Sequence, residues 1–152
     1  MIMRNFRSVD DILDFAIKNE QDAVDFYTKY GQLVTKKMKD MLLEFAQEEI
    51  KHKARLMKIK EEKVFTFSPE KIYSLNISDY VTSGNFTMDL SYQDTLILAM
   101  LKEKAAFRLY LNLSQKTDIP FLKELFLSLA QEESKHKLRF ELEYDEYILK
   151  EN

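Results

Sequence analysis

Four stretches of the chain place apolar residues at spacings of three and four, the period of one helix face. From about Val9 to Val34 the stripe is Leu13, Ala16, Ile17, Ala23, Val24 and Tyr27. From about Lys39 to Lys63 it is Leu42, Phe45, Ala46, Leu56 and Ile59. A third stripe, over about 92–115, runs Leu96, Ala99, Met100, Ala106, Phe107, Tyr110 and Leu113. The fourth, over about 120–147, carries Leu122, Leu125, Phe126, Leu129, Ala130 and Phe140. Ser8 with Asp11, and Ser91 with Asp94, resemble capping boxes in which Asp replaces the usual Glu. Pro120 suits a first helical turn. The pattern predicts an all-α protein of four helices.

Between the second and third helices lie residues 64–90, long for a helix–helix connection. A bundle with one long crossover uses such a segment to return along its length. The runs Lys71–Leu75 and Ile77–Tyr80 fit strand or helix fragments equally.

The chain also repeats itself. Phe45 to Leu56 reads FAQEEIKHKARL and Leu129 to Phe140 reads LAQEESKHKLRF, identical at eight of twelve positions. Glu20 to Tyr27 (EQDAVDFY) is echoed more faintly by Glu103 to Tyr110 (EKAAFRLY). Two tandem helical hairpins are therefore expected, packed on each other because one hairpin cannot bury its own apolar face.

Charged residues interrupt each stripe. Glu20 is flanked by Ala16, Ile17, Ala23, Val24 and Tyr27, and Glu103 by Ala99, Met100, Ala106, Phe107 and Tyr110. Glu49 and His52 sit three apart on the second helix, and Glu133 and His136 on the fourth. All six should face the core. Four buried carboxylates would repel each other and resist ionisation. Two metal cations remove that conflict. One Glu from each of two helices, with Glu-x-x-His from each of the other two, is the ligand set of dinuclear sites in helical bundles. His52 and His136 are the only histidines in the chain, which sharpens an otherwise common spacing.

Composition narrows the chemistry. Cysteine is absent, which excludes disulfides, thiolate catalysis, Cys-ligated zinc and iron–sulfur centres. A formal net charge of -3 favours neither nucleic acid nor anionic lipid. The longest apolar stretch, Leu96 to Leu101, is too short to span a bilayer. Residues 1–11 contain no apolar signal core, so the cytoplasm is the expected compartment.

At these residues the sequence resembles the ferritin-like di-iron carboxylate proteins, most closely rubrerythrins. The motifs are Glu20 with Tyr27, Glu49-x-x-His52, Glu103 with Tyr110, and Glu133-x-x-His136. The resemblance implies two iron ions per chain, bridged by Glu49 and Glu133, with Glu20 and Glu103 as terminal ligands. Glu and His also suit manganese, and zinc could enter by mis-metallation. The implied activity is reduction of peroxide or oxygen, or iron oxidation and storage, in a homodimer. Crossover aromatics such as Phe65, Phe67, Tyr73 and Phe86 are candidate dimer contacts.

Two departures stand out. Full-length rubrerythrins carry a Cys-ligated rubredoxin domain, and this chain has no Cys, so a separate donor such as a rubredoxin is expected. Peroxidase-type members also carry an extra Glu three residues after the helix-three ligand, where this chain has Ala106. Tyr27 and Tyr110 read either as core aromatics or as donors that orient a ligand carboxylate. Glu48 and Glu132, about 100° round the helix from the bridging positions, read as solvated. Lys36, Lys37 and Lys39 read as a solvated turn.

Overall fold

The computed structural model describes residues 6–32, 34–63, 75, 76, 80, 81 and 91–151. They form α1 (Val9–Gly31), α2 (Lys36–Glu62), α3 (Tyr92–Lys116) and α4 (Pro120–Glu151). The crossover aromatics Phe65, Phe67, Tyr73 and Phe86 lie outside the described residues, as do most of the two ambiguous runs. Of those runs only Leu75 and Tyr80 are described; both are buried and neither is in a helix or strand.

Both predicted N-caps form. Ser8 Oγ accepts from Asp11 N at 3.1 Å, and Ser91 Oγ accepts from Asp94 N at 3.0 Å. The Asp11 carboxylate reaches back to Arg7 N at 3.0 Å, which completes a reciprocal cap one residue early.

Helix ends differ from the pattern where tertiary packing overrides it. α1 stops at Gly31, short of Val34, where the Gln32 N–H turns back to the Lys29 and Tyr30 carbonyls. α2 starts at Lys36 rather than Lys39, because Met38 and Met41 are buried and carry the apolar stripe one turn further back. Lys36, Lys37 and Lys39 are therefore solvated residues of a first helical turn, not of a loop. α4 runs to Glu151, past the expected 147. Tyr92 of α3 holds this extension: its hydroxyl donates to Glu143 at 2.8 Å and its ring meets Tyr147 edge-on at 5.0 Å.

α1 pairs with α2, and α3 with α4, through connections of a few residues, so each pair is an antiparallel hairpin. The two hairpins face each other over a core in two parts. One part gathers Phe6, Ile12, Leu13, Leu56, Leu109, Leu113, Leu122 and Phe126. The other gathers Phe26, Tyr27, Met38, Leu42, Phe45, Leu96, Ala99 and Phe140. Along every helix the step from one part to the other passes a buried ionisable residue: Glu20, Glu49 and His52, Glu103, or Glu133 and His136. The core is two apolar clusters flanking one polar layer.

Leu56 is fully buried beside that layer, whereas Leu149 is 76% exposed near the end of α4. Leu56→Ala is expected to lower unfolding free energy in urea by about 2–5 kcal/mol. Leu149→Ala should change it by less than about 0.5 kcal/mol. Equal effects would contradict this division of the core.

Candidate metal centre

Each helix contributes to the polar layer from its middle, where the backbone is fully hydrogen-bonded and the side chain is held by apolar neighbours. Glu20, Glu49, Glu103, Glu133, His52 and His136 are all at most 3% exposed. They form two overlapping groups. Glu20, Glu49, His52 and Glu133 offer ligand atoms within 4.8 Å of one another, and so do Glu49, Glu103, Glu133 and His136. Glu49 and Glu133 belong to both groups. The structure thus gathers all six residues singled out in the sequence into two positions able to hold a metal ion, joined by two shared carboxylates.

The histidines cross between hairpins. His52 of α2 points Nδ1 at Glu133 of α4, 2.7 Å away, with Glu49 at 3.5 Å and Glu20 at 3.6 Å. His136 of α4 points Nδ1 at Glu49 of α2, 3.1 Å away, with Glu103 at 3.5 Å. The two rings lie nearly parallel, with centroids 6.4 Å apart. Phe45 stacks on His136 with centroids 4.0 Å apart, which fixes the plane of that imidazole.

The tyrosines cross as well. Tyr27 of α1 donates its hydroxyl to Glu103 of α3, and Tyr110 of α3 donates to Glu20 of α1. Each therefore orients the carboxylate of the opposite hairpin rather than the one two turns earlier on its own helix. This exchange requires α1 and α3 to run antiparallel. Both sequence-level readings of the tyrosines hold: each ring is buried in the core, and each hydroxyl holds a carboxylate of the cluster.

Glu48 and Glu132 depart from the expectation. Glu48 Oε2 accepts from His136 Nε2, and Glu132 Oε2 sits 2.8 Å from His52 Nε2. Both keep contact with solvent, but neither is merely a solvated residue. The available signal was their repetition immediately before Glu49 and Glu133. Gln47 and Gln131, which repeat alongside them, are simply exposed.

The electrostatics of the layer follow from crowding. Burial, then the charges of Glu20 and Glu103, raise the Glu49 pKa well above the usual carboxylate value. Burial and the charges of Glu103, Glu49 and Glu20 do the same to Glu133. Glu103 goes the other way: burial pushes its pKa up, but hydrogen bonds with Glu133, His136 and Tyr27 and the His136 charge outweigh it. Burial disfavours charge on both imidazoles, yet the carboxylates win. Glu103 and Glu49 push His136 up to about 11, and Glu20 and Glu132 raise His52. Burial, followed by Glu103 for Tyr27 and Glu20 for Tyr110, lifts both phenols well above their ordinary value, so both remain donors.

The layer is nevertheless incomplete without a further partner. Glu20 Oε2, Glu49 Oε1, Glu103 Oε2 and His136 Nδ1 are buried and make no hydrogen bond. Buried polar atoms are rarely left so, and all four belong to the two ligand groups. A pair of cations accepting these lone pairs fits the donor set. A cavity of about 240 Å³ leads to it between α1 and α3, reaching Glu20, Glu49, Glu103 and Glu133. Its walls include Ala23, Ala105 and Ala106, with Lys18, Asp22 and Lys102 supplying charge. No helix among the described residues is long and apolar enough to cross a membrane.

Comparison with known proteins agrees with this geometry. No curated protein sequence matches the chain. A crystal structure from Thermotoga maritima, of a candidate ferritin-like diiron-carboxylate protein, superposes with a TM-score of 0.77 at 20% identity. The match covers 95% of this chain and 99% of that one and establishes a ferritin-like four-helix bundle. The rubrerythrin family model matches residues 11–81 and 94–152. That span includes all six residues of the polar layer, and the chain belongs to the rubrerythrin family.

Proposed function

We propose that the chain is a non-haem di-iron oxidoreductase of the cytoplasm that reduces peroxide or oxygen with electrons from a separate donor protein such as a rubredoxin. The observation that carries this reading is the set of four buried, unsatisfied ligand atoms on two groups that share Glu49 and Glu133. Glu20 and His52 would hold one ion and Glu103 and His136 the other, with Glu49 and Glu133 between them. A bound iron pair supplies the electrons that break the O–O bond.

The chain's own residues do the rest. Tyr27 and Tyr110 hold the terminal carboxylates in place from the opposite hairpin. The two apolar clusters keep bulk water from both ends of the layer. The cavity between α1 and α3 gives a small oxidant its way in, past alanines that leave the carboxylates uncovered. Manganese suits the same donors, and zinc would bind without redox chemistry. We also place the protein in a homodimer. Leu138, Leu142 and Leu149, all more than half exposed along α4, supply apolar surface that association would cover.

The direct test is peroxide consumption by anaerobically iron-loaded protein with a reduced rubredoxin. Turnover is expected, with two electrons drawn per peroxide, and His52→Ala or His136→Ala should abolish most of it. Iron accumulating far beyond two ions per chain without donor-dependent turnover would instead favour storage.

The shifted groups also make a pH prediction. Without metal, Glu49, Glu133, His52 and His136 hold protons more tightly folded than unfolded. The stability this gives to the histidines is fully present below their unfolded value of about 6.5. It is lost as pH rises through the folded value, about 11 for His136. Glu103 has the opposite sign, and its contribution is lost only at acid pH. Chelator-treated protein should therefore melt at progressively lower temperature between about pH 7 and about pH 10. Metal-loaded protein should resist this loss, because ligation uses the deprotonated side chains. A chelated protein equally stable across that range would contradict the charge assignment.

A further inference from the structure

On the face shared by α2 and α4, each histidine turns its outer nitrogen to a carboxylate of the other hairpin. His136 Nε2 meets Glu48 of α2, and His52 Nε2 meets Glu132 of α4 at 2.8 Å. An ionised carboxylate only accepts, so the proton of each contact sits on Nε2. The lone pair of a neutral imidazole is then confined to Nδ1, the nitrogen that faces Glu49 and Glu133. Neither Glu48 nor Glu132 belongs to a metal-holding group.

The two contacts are not equivalent. Glu132 also pairs with the Arg55 guanidinium at 3.5 Å. Arg139 occupies the repeat-related place on α4, yet it donates to Met41 Sδ at 3.6 Å instead. Among the described residues no guanidinium pairs with Glu48. The charge of Glu48 therefore acts on its histidine alone, while that of Glu132 is divided between His52 and Arg55. A carboxylate on the far nitrogen makes an imidazole a better donor to metal.

The geometry points to Glu48 and Glu132 as positioning residues, each fixing the histidine of the opposite hairpin for ligation through Nδ1, with the His136 position the tighter of the two because Glu48 is unshared. The inference rests on the di-iron reading above. It also gives the repeated Glu-Glu pairs a joint role. In each pair the second residue lies between the two metal positions and the first reaches across to the other hairpin's imidazole.

Cobalt(II) titration of the metal-free full chain tests this. Visible absorption would report coordination, and competition with a chelator would report affinity. The unmodified chain should bind two ions in two steps. Glu48→Ala should weaken the tighter step by roughly 10–100-fold, and Glu132→Ala the other step. Glu48→Gln should cost less than Glu48→Ala, since the amide oxygen still accepts the Nε2 proton. Arg55→Gln should tighten the weaker step and narrow the gap; an unchanged gap would overturn the asymmetry. In a His136→Ala background, Glu48→Ala should have no further effect. An equal loss there would show that Glu48 acts on the fold and not through its histidine. If His136→Ala fails to fold by circular dichroism, the separate targeting of the two steps by Glu48→Gln and Glu132→Gln decides. Normal two-cobalt binding that is unaltered in both alanine variants would overturn this inference alone. No cobalt uptake by the unmodified chain would overturn it together with the di-iron reading.

Discussion

Four carboxylates inside one apolar core repel each other, and the rest of the structure is arranged around that repulsion. In water such charges are cheap; buried, each costs several kcal/mol unless it is neutralised or paired. Without metal the layer balances itself with protons. Glu49 and Glu133 are driven toward the neutral acid while His136 and His52 are driven toward the cation. That balance still leaves buried ligand atoms unsatisfied. Two cations replace the protons and complete the layer, so metal binding and folding stability are coupled here.

The same constraint explains why the two hairpins interlock. Every polar-layer contact that orients a side chain runs between hairpins. Tyr27 reaches Glu103, Tyr110 reaches Glu20, His52 reaches Glu132 and Glu133, and His136 reaches Glu48 and Glu49. Neither hairpin can build half of the centre alone. The tandem repeat is thus a way to supply each set of donors twice and satisfy each from the other copy.

Much of this was legible before folding. The helices declare themselves through long apolar stripes, and the polar layer through charges that fall where a stripe demands an apolar residue. Glu20 among Ala16, Ile17, Ala23 and Val24 has no outward-facing alternative. What was hidden depends on how helices face each other. Periodicity along α1 places Tyr27 with Glu20, but the antiparallel course of α3 gives that hydroxyl to Glu103. Glu48 lies about 100° from Glu49 around α2, which reads as solvent until α4 is set beside it. The α2 start was similarly hidden, because lysines at Lys36 and Lys37 mask the burial of Met38.

The account stands or falls on two metal ions sharing Glu49 and Glu133. Anomalous diffraction at the iron edge, from crystals of anaerobically iron-loaded protein, measures this directly. Two peaks about 3.5–4 Å apart are expected. One should lie beside His52 and Glu20, the other beside His136 and Glu103. A single peak, or iron bound only outside the polar layer, would contradict it.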